Sequence, residues 1–188
     1  KPLAGSTVLV TGAAGFAGAH LSRTLAAAGA IVHGLGSEPP RPALPLAAWH
    51  AADLREPESL RAAGAAARPD FVAHLAGQAS ASRSFEQPVE TFQVNALGTW
   101  NVLEAVRAES PAARVLVVTS GEVYGPQPAG SRVGEATAFA PVNPYALSKA
   151  AADALAEVAG TAGGLAIVRA RAFAHAGLNW KDYVAFDE

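Results

Sequence analysis

The feature that most constrains this chain is the turn "LVTGAAGFAGAHL" at residues 9–21, in which glycine recurs every third residue at Gly12, Gly15 and Gly18. A valine-containing apolar run precedes the turn and an alanine-rich run follows it, which predicts a strand, a tight turn and a helix. Amides at a helix N-terminus are partly positive and lack intrahelical partners, and bare glycines let a diphosphate approach them. The spacing G-x-x-G-x-x-G differs from the commoner G-x-G-x-x-G. We therefore predict a dinucleotide site here rather than a turn whose glycines only relieve packing.

Apolar β-branched runs alternate with alanine- and leucine-rich runs along the rest of the chain. The predicted strands cover residues 7–11, 31–35, 49–52, 71–75, 114–119 and 165–170. The predicted helices cover residues 15–28, 56–67, 88–108 and 145–159. This alternation, with strands that are nearly continuous apolar runs, predicts an α/β fold: a Rossmann-like doubly wound parallel sheet with helices on both faces.

Composition limits the classes of partner. With 188 residues, 51% of them apolar, the chain can bury the core of one ordinary domain. A net charge of −2 and the lack of a basic run argue against nucleic acid or a membrane surface as partners. The sequence has no cysteine, which excludes disulfides and thiolate metal ligands, and we predict no metal site. We see neither a membrane-spanning run nor a signal-peptide pattern, and we predict a cytoplasmic protein.

The residues after the second predicted strand bear on which dinucleotide is bound. NAD sites place an acid near the end of this strand to accept hydrogen bonds from the ribose hydroxyls, whereas here Gly36 occupies that place and Ser37 follows it. The missing acid removes repulsion against a 2′-phosphate, and Arg41 is nearby, so we favour NADP over NAD. Asp53, in "AADLRE", can accept a hydrogen bond from the adenine amino group, but capping of the next helix explains it nearly as well.

A tyrosine and a lysine at the start of a predicted helix are candidates for catalysis. In "PYALSKAAA", Tyr145 and Lys149 are four residues apart and share one helix face. An ammonium near a phenol favours the phenolate, so we expect the pKa of Tyr145 to lie below its usual value of about 10. The tyrosine then moves a proton to or from a substrate oxygen, and Lys149 can also bind the nicotinamide ribose.

"VLVVTSGEVYG" places polar side chains where a predicted strand ends. The carboxyl end of a strand in such a sheet faces the ligand crevice, so Ser120 can hold the substrate oxygen that Tyr145 protonates. Capping of the turn is the alternative role for this serine. Glu122 follows two residues later.

Together these motifs resemble the extended short-chain dehydrogenase/reductase family that acts on nucleotide sugars, over about residues 6–177. The matching stretches are "TGAAGFAG", "DL" at 53–54, "HLAGQAS" at 74–80, "NALGTWNVLEA" at 95–105, "TSGEVYG" and "NPYALSK". The resemblance implies a catalytic set of Ser120, Tyr145 and Lys149, and a structural role for Asn95. The cofactor contacts that we expect are Gly12, Gly15, Phe16, Gly18, Ser37, Asp53, Leu54, Leu75, Ala76, Gly77, Asn95, Tyr145 and Lys149.

Within the family, "GQASASRSFEQPVETFQVNALGT" and "VRARAFAHAG" look closest to GDP-4-keto-6-deoxy-mannose reductases and GDP-mannose 4,6-dehydratases. A reductase needs hydride delivery to a C4 ketone and a proton from Tyr145. A dehydratase also needs a base for the C5 proton, and Glu122 occupies the place of that family's glutamate, although Gly121 replaces the Asp or Ser before it. We favour reduction of a GDP-4-keto-6-deoxy-hexose, with dehydratase or NDP-sugar 4-epimerase as alternatives.

The chain departs from the family at its C-terminal end. The family's "FNH" reads "FAH" here, so Ala174 replaces an asparagine that helps to hold the sugar nucleotide, and His175 is interpreted as structural. The family continues into a substrate lobe, which is largely absent here. We expect an NAD(P)-binding domain at 1–177, a junction across missing sequence at Gly177–Leu178, and a remnant of the substrate region at 178–188. The sequence starts at Lys1 and has no methionine, as expected of a trimmed or partial chain.

Two further expectations concern partners. A non-catalytic dinucleotide-binding sensor is the alternative from another functional class, favoured by Ala174 and opposed by the intact catalytic set. The predicted helices at 88–108 and 145–159 are apolar enough to pair as a four-helix interface, so we expect a homodimer, as the family resemblance implies.

Overall fold

The computed structural model describes residues 2–40 and 43–173, which form one six-stranded sheet covered by helices. All strand pairs are parallel, and the strand order is β3-β2-β1-β4-β5-β6. The strands are β1 Thr7–Thr11, β2 Ile31–Gly36, β3 Ala48–Ala51, β4 Phe71–His74, β5 Arg114–Val118 and β6 Ala166–Ala170. The helices are α1 Phe16–Ala27, α2 Pro57–Ala67, α3 Ala81–Glu86, α4 Pro88–Phe92, α5 Gly98–Glu109 and α6 Pro144–Thr161. The predicted doubly wound fold is confirmed.

The strand order creates a crevice beside β1. Successive strands step outward from β1 through β2 to β3, and the chain then returns to the other side of β1 at β4. Helices that follow strands on the two sides cover opposite faces of the sheet, so a gap opens at the carboxyl ends of β1 and β4. The glycine turn follows β1 directly, at this gap.

Side chains along each strand point alternately to the two faces of the sheet, and they form a separate hydrophobic core on each face. Val8, Val10 and Val32 pack with Leu25 of α1 on one face of the sheet. Leu9, Leu35, Val72 and Val115 lie on the opposite face, in a larger core that includes residues of α2, α5 and α6. Burial on both faces explains why the strands read as nearly continuous apolar runs.

The long helix predicted over 88–108 is confirmed, since residues 88–109 are helical throughout. The sequence did not predict the π-helical turn at Gln93–Leu97, which separates α4 from α5 within this helix. A π-turn holds one extra residue, and such turns are frequently found at functional sites. Two short elements that the sequence did not predict are α3 and a 3₁₀ turn at Gly121–Tyr124.

Helix α6 begins where its sequence predicts. The Asn143 side chain accepts a hydrogen bond of 2.7 Å from the Ala146 amide, and Pro144 occupies the first helical position. An asparagine cap followed by proline is a strong start signal for a helix. This cap fixes the first turn of α6, which carries Tyr145.

A buried carboxylate ties α6 to the last two strands. Asp153 is fully buried and accepts hydrogen bonds from Arg169 at 2.7 Å, Arg171 at 2.9 and 3.0 Å, and Thr119 at 3.1 Å. Burial by itself raises the pKa of Asp153, but the hydrogen bond and charge of Arg171, with Thr119 and Arg169, outweigh it and lower that pKa. Because Thr119 directly precedes Ser120, the cluster also holds the end of β5 against α6.

Several sequence expectations fall outside the described residues: Arg41, Ala174, His175, the Gly177–Leu178 junction and the segment 178–188. Within the described ranges, no helix is both long and apolar enough to cross a membrane. The same residues contain no group of three or more His, Asp or Glu side chains placed to hold a metal ion.

Candidate active site

The glycine turn after β1 leaves no room for side chains at two of its three glycines. Gly12 has a φ of +68°, and a Cβ there would lie 2.8 Å from the Ala76 amide nitrogen. A Cβ on Gly18 would lie only 2.1 Å from the Gly12 carbonyl oxygen, because α1 packs directly on the turn. These two glycines are therefore required by the fold itself, whatever the turn binds.

Gly15 differs from its neighbours because its α-carbon is exposed and nearly unobstructed. A Cβ there would meet only the Gly12 carbonyl oxygen, at 3.3 Å. Gly15 precedes the first residue of α1, Phe16, and no side chain caps this helix end. The first amides of α1 are thus uncapped beside a bare glycine, a cradle that fits the diphosphate of a dinucleotide.

Substitution of Gly15 and of Gly18 by alanine is expected to separate binding from folding. Gly18→Ala forces a clash with backbone and should destabilise the protein by about 1–3 kcal/mol or more in urea unfolding. Gly15→Ala should leave stability within about 1 kcal/mol and weaken NADPH binding about tenfold or more, measured by calorimetry, because its methyl group enters the cradle. Unchanged NADPH affinity in Gly15→Ala would contradict a diphosphate site at this turn.

The end of β4 faces the glycine turn across the crevice. The Thr11 hydroxyl accepts hydrogen bonds from the amides of Leu75 and Ala76, at 3.2 and 3.1 Å, which fixes the backbone that follows β4. Gly77 is exposed, and a Cβ there would lie 2.8 Å from Asn95 Oδ1 and 3.1 Å from Lys149 Nζ. A bare backbone at Gly77 therefore keeps the space in front of Lys149 open.

The predicted catalytic residues converge in this crevice. Ser120 follows β5, while Tyr145 and Lys149 lie one turn apart at the start of α6, and all three are at least nine-tenths buried. A hydrogen bond from Ser120 acts on the Tyr145 phenol. The structure thus brings together a hydroxyl pair and a cation, the set required to bind and protonate a substrate oxygen.

The expected lowering of the Tyr145 pKa is wrong for the protein by itself. Burial raises the pKa of the Tyr145 phenol, the hydrogen bond from Ser120 lowers it, and the charge of Glu122 raises it, with a net upward shift. Lys149 is not among the groups that act on Tyr145. Tyr145 is therefore a neutral phenol that can donate a proton.

Lys149 is a buried cation without a hydrogen-bonding partner among the residues that the structure describes. Only 8% of its surface is exposed, and desolvation lowers its pKa from 10.5 to about 8. A buried ammonium without a partner is costly for a protein unless a ligand supplies acceptor oxygens. Lys149 and the cradle at Gly15 together fit a dinucleotide whose ribose hydroxyls reach the ammonium.

The folded state disfavours the charged form of Lys149, so this residue should destabilise the protein below pH 8. The unfolded chain holds the lysine proton up to pH 10.5 while the folded chain releases it near pH 8, so stability should rise with pH across this window. We expect Lys149→Met to be about 2–3 kcal/mol more stable than the parent at pH 7, with the difference vanishing near pH 10.5. Urea unfolding at pH 7, 9 and 10.5 measures this, and a less stable variant at pH 7 would contradict it.

Glu122 lies in the 3₁₀ turn after Ser120, close to the phenol. Its carboxylate accepts a hydrogen bond of 3.1 Å from Asn143 Nδ2, and the side chain is exposed. Its negative charge acts on Tyr145. Glu122 is thus exposed to solvent beside the predicted catalytic residues.

Three residues are expected to contact the adenosine half of the dinucleotide: Ser37, Asp53 and Leu54. Both carboxylate oxygens of Asp53 are bound by the Arg55 guanidinium, at 2.9 and 2.5 Å, and this hydrogen bonding lowers the pKa of Asp53. Asp53 does not cap α2, which starts at Pro57 without a side-chain cap. Leu54 is buried, its carbonyl accepts a hydrogen bond from Asn101, and Ser37 is exposed after β2.

Asn95 is buried in the π-turn and binds protein rather than solvent. Its Oδ1 accepts a hydrogen bond of 2.8 Å from the Gln78 amide, and its Nδ2 donates to the Gln78 carbonyl at 3.0 Å and to Ser148 Oγ at 2.9 Å. Asn95 thus clasps the loop after β4 to α6, which agrees with the structural role expected from the resemblance. Sequence reasoning did not identify Ser148 or His74, because an isolated serine or histidine in an apolar run has no recognisable spacing.

Comparison with known proteins identifies the family of this chain. The model of the NAD dependent epimerase/dehydratase family matches residues 8–186, and the chain belongs to this family. It is 39% identical over 176 residues to GDP-6-deoxy-D-mannose reductase of Pseudomonas aeruginosa, covering 93% of this chain and 54% of the relative.

Two solved structures show the same architecture. UDP-glucose 4-epimerase of Thermus thermophilus in complex with NAD superposes with a TM-score of 0.82 at 39% identity, covering 87% of this chain and 54% of that one. RMD of Pseudomonas aeruginosa complexed with NADPH superposes with a TM-score of 0.77 at 35% identity, covering 95% and 58%. The chain therefore spans about half the length of these relatives.

Proposed function

We propose that the protein containing this chain is an NADP-dependent reductase of a GDP-linked 4-keto-6-deoxy-hexose. The observation that carries the proposal is the buried group of Ser120, Tyr145 and Lys149 beside the glycine cradle. The 39% identity to a GDP-6-deoxy-D-mannose reductase supports the substrate class. The expectation of NADP rather than NAD is supported by the NADPH complex of RMD, one of the structural neighbours, and by the absence of an acid at the end of β2.

Ser120, Tyr145 and Lys149 have different roles in the proposed carbonyl reduction. Ser120 and Tyr145 hold the substrate oxygen, and the phenol donates its proton to that oxygen as the carbonyl carbon is reduced. The bound reduced dinucleotide supplies the hydride. Lys149, whose ammonium lies near Gly77 rather than beside the phenol, would hold the nicotinamide ribose of the bound dinucleotide.

The protonation state of Tyr145 differs between the first steps of the candidate reactions. A dehydratase or 4-epimerase starts by oxidising its sugar, which requires a phenolate that removes a proton. Without bound cofactor, burial raises the pKa of Tyr145 and keeps it a neutral phenol, which is the form that donates a proton in reduction. Glu122 is the one observation that favours dehydration, because its exposed carboxylate can serve as a base.

A direct assay distinguishes these activities. The complete protein should oxidise NADPH when GDP-4-keto-6-deoxy-mannose is added, with a lower KM for NADPH than for NADH. Formation of a 4-keto product from GDP-mannose without net use of cofactor would instead identify a dehydratase. Tight NADPH binding without turnover of either sugar would favour the non-catalytic sensor.

We also propose a homodimer formed through the outer faces of α4 and α6. Phe92, Val142 and Leu147 line one open groove between these helices, and Leu97 in the π-turn is half exposed. Exposed apolar side chains clustered on neighbouring helices are typical of an interface. A second copy of the chain provides a matching apolar face by two-fold symmetry.

A matched pair of valine variants tests the dimer. Val89 on α4 is 70% exposed and adjoins Pro88, which lines the groove, whereas Val168 on β6 is 65% exposed and neither it nor a sequence neighbour lines the groove. In light scattering we expect the mass of a dimer for the parent and for Val168→Asp, and the mass of a monomer for Val89→Asp. A monomeric parent, or a dimeric Val89→Asp, would overturn this interface.

A further inference from the structure

A buried histidine lies between the glycine turn and the helix that carries the catalytic residues. His74 ends β4 and is fully enclosed. Its Nδ1 is 2.8 Å from Thr11 Oγ1 at the end of β1, and its Nε2 is 3.0 Å from Thr99 Oγ1 in α5. His74 is thus a bridge between the strand before the glycine turn and the helix after the π-turn.

The neighbours of His74 fix its tautomer. Thr11 Oγ1 already accepts two amide hydrogen bonds, from Leu75 and Ala76, so its proton is directed at Nδ1. Thr99 Oγ1 donates its proton to the Asn95 carbonyl at 2.6 Å, so it accepts from His74. Every donor and acceptor is satisfied only if His74 is neutral with its proton on Nε2. Burial, and the nearby charge of Lys149, lower the pKa of His74 to about 3 and keep it neutral.

The hydrogen bonds continue from Thr99 to the catalytic helix. The Asn95 backbone accepts from Thr99, while the Asn95 side chain donates to Ser148 Oγ. Ser148 in turn donates to the Tyr145 carbonyl at 2.7 Å. A continuous buried series of polar groups therefore runs from the end of β1 to the first turn of α6.

We propose that His74 is a positioning residue that sets the dinucleotide turn and the Tyr145–Lys149 pair at a fixed separation, through Thr11 on one side and Thr99 on the other. This role rests on the proposed reductase function. His74 does not touch substrate or cofactor in this arrangement. It acts by orienting two hydroxyls that hold the backbone on each side of the crevice.

Two conservative variants of His74 separate its two contacts in the complete protein. His74→Asn can place an amide oxygen where Nδ1 lies and keep the Thr11 contact, but it is too short to reach Thr99. His74→Gln can place an amide nitrogen where Nε2 lies and keep the Thr99 contact, but it loses the acceptor for Thr11. His74→Phe has a similar ring and keeps neither contact.

We expect the three His74 variants to differ in which quantity they change, NADPH affinity or kcat. His74→Gln should raise the dissociation constant for NADPH about 2- to 10-fold with kcat near that of the parent, because one neutral hydrogen bond beside the turn is lost. His74→Asn should lower kcat by a similar factor with little change in NADPH affinity, and should speed hydrogen exchange at Gln93–Leu97. His74→Phe should show both effects. Equal effects of Asn and Gln on both quantities would overturn the positioning role and indicate a general packing role.

A measurement on the unsubstituted protein does not depend on turnover. Nitrogen NMR of ¹⁵N-histidine-labelled protein should show His74 with its proton on Nε2 at every pH from 5 to 9. A proton on Nδ1, or titration in this range, would overturn the inference. If the parent enzyme fails to reduce any nucleotide sugar, the proposed function fails, while the NMR signal, NADPH affinity and hydrogen exchange still decide the role of His74.

Discussion

Tyr145→Phe is expected to lose turnover by about 10²–10⁴-fold while its affinity for NADPH stays within about tenfold of the parent's. The substitution removes only the phenolic oxygen, so the buried ring and the start of α6 are retained. Without that oxygen, no group hydrogen-bonded to Ser120 can donate a proton to the reduced substrate oxygen. Stopped-flow reduction of a GDP-4-keto-6-deoxy-hexose, with calorimetry of NADPH binding, measures the two quantities separately.

Tyr124→Phe is the matched control for this prediction. Tyr124 is also buried, but its hydroxyl accepts a hydrogen bond of 3.0 Å from Arg171 and takes no part in the catalytic group. Its loss should cost about 1 kcal/mol of stability and leave kcat within a few-fold of the parent. Comparable losses of kcat in the two variants would mean that Tyr145 acts through packing rather than as a proton donor.

Asp153→Ala is expected to destabilise the protein by about 3–5 kcal/mol, the largest stability effect among the variants considered. The carboxylate is fully buried between Arg169 and Arg171, and its removal leaves two guanidinium groups without their shared buried counter-ion. The Thr119 hydroxyl also loses its acceptor. Urea unfolding at pH 7 measures the loss, and it should appear in the midpoint rather than in the slope.

Glu157→Ala separates a buried ion pair from an exposed one. Glu157 binds the same guanidinium as Asp153, with 3.1 Å between Arg169 and the carboxylate, but its side chain is 56% exposed. Its removal should therefore cost no more than about 1 kcal/mol. Similar costs for the two variants would show that the Asp153 cluster contributes no more than a surface pair.

The fold could be predicted from sequence because the signals for a parallel sheet are local. Most strands are short apolar runs that alternate with helical segments, and the first junction carries glycines that only a tight turn requires. The start of α6 can also be predicted from local sequence. Asn143 caps the helix and Pro144 occupies its first turn, and neither effect depends on the rest of the chain.

The π-turn between α4 and α5 could not be predicted, because it depends on tertiary contacts. The stretch 88–108 has no internal proline to interrupt a helix. The π-turn instead coincides with the side-chain contacts of Asn95 to Gln78 and Ser148, and with the packing of Leu54 against Gly98. These partners come from distant parts of the sequence, and their positions are known only once the sheet is formed.

The charge state of Tyr145 was mispredicted for a related reason. A spacing of four residues places Lys149 on the same helix face as Tyr145, but it does not determine where a long side chain ends. In the structure Lys149 Nζ lies near Gly77, across the crevice, and burial dominates the pKa of the phenol instead. Spacing identified the pair correctly, while its electrostatics required the position of the loop after β4.

Because of the π-turn at Gln93–Leu97, the number of residues in this segment matters as well as their identity. An ordinary helix turns by about 100° for each residue, and the π-turn accommodates one extra residue without rotating α4 relative to α5; deleting one residue here would restore regular geometry and shift the residues of the turn around the helix axis. Such a deletion mutant would still form helix from end to end. It would nevertheless turn the Asn95 amide away from the loop after β4, so insertions and deletions should be tolerated far less at this turn than substitutions of its exposed side chains.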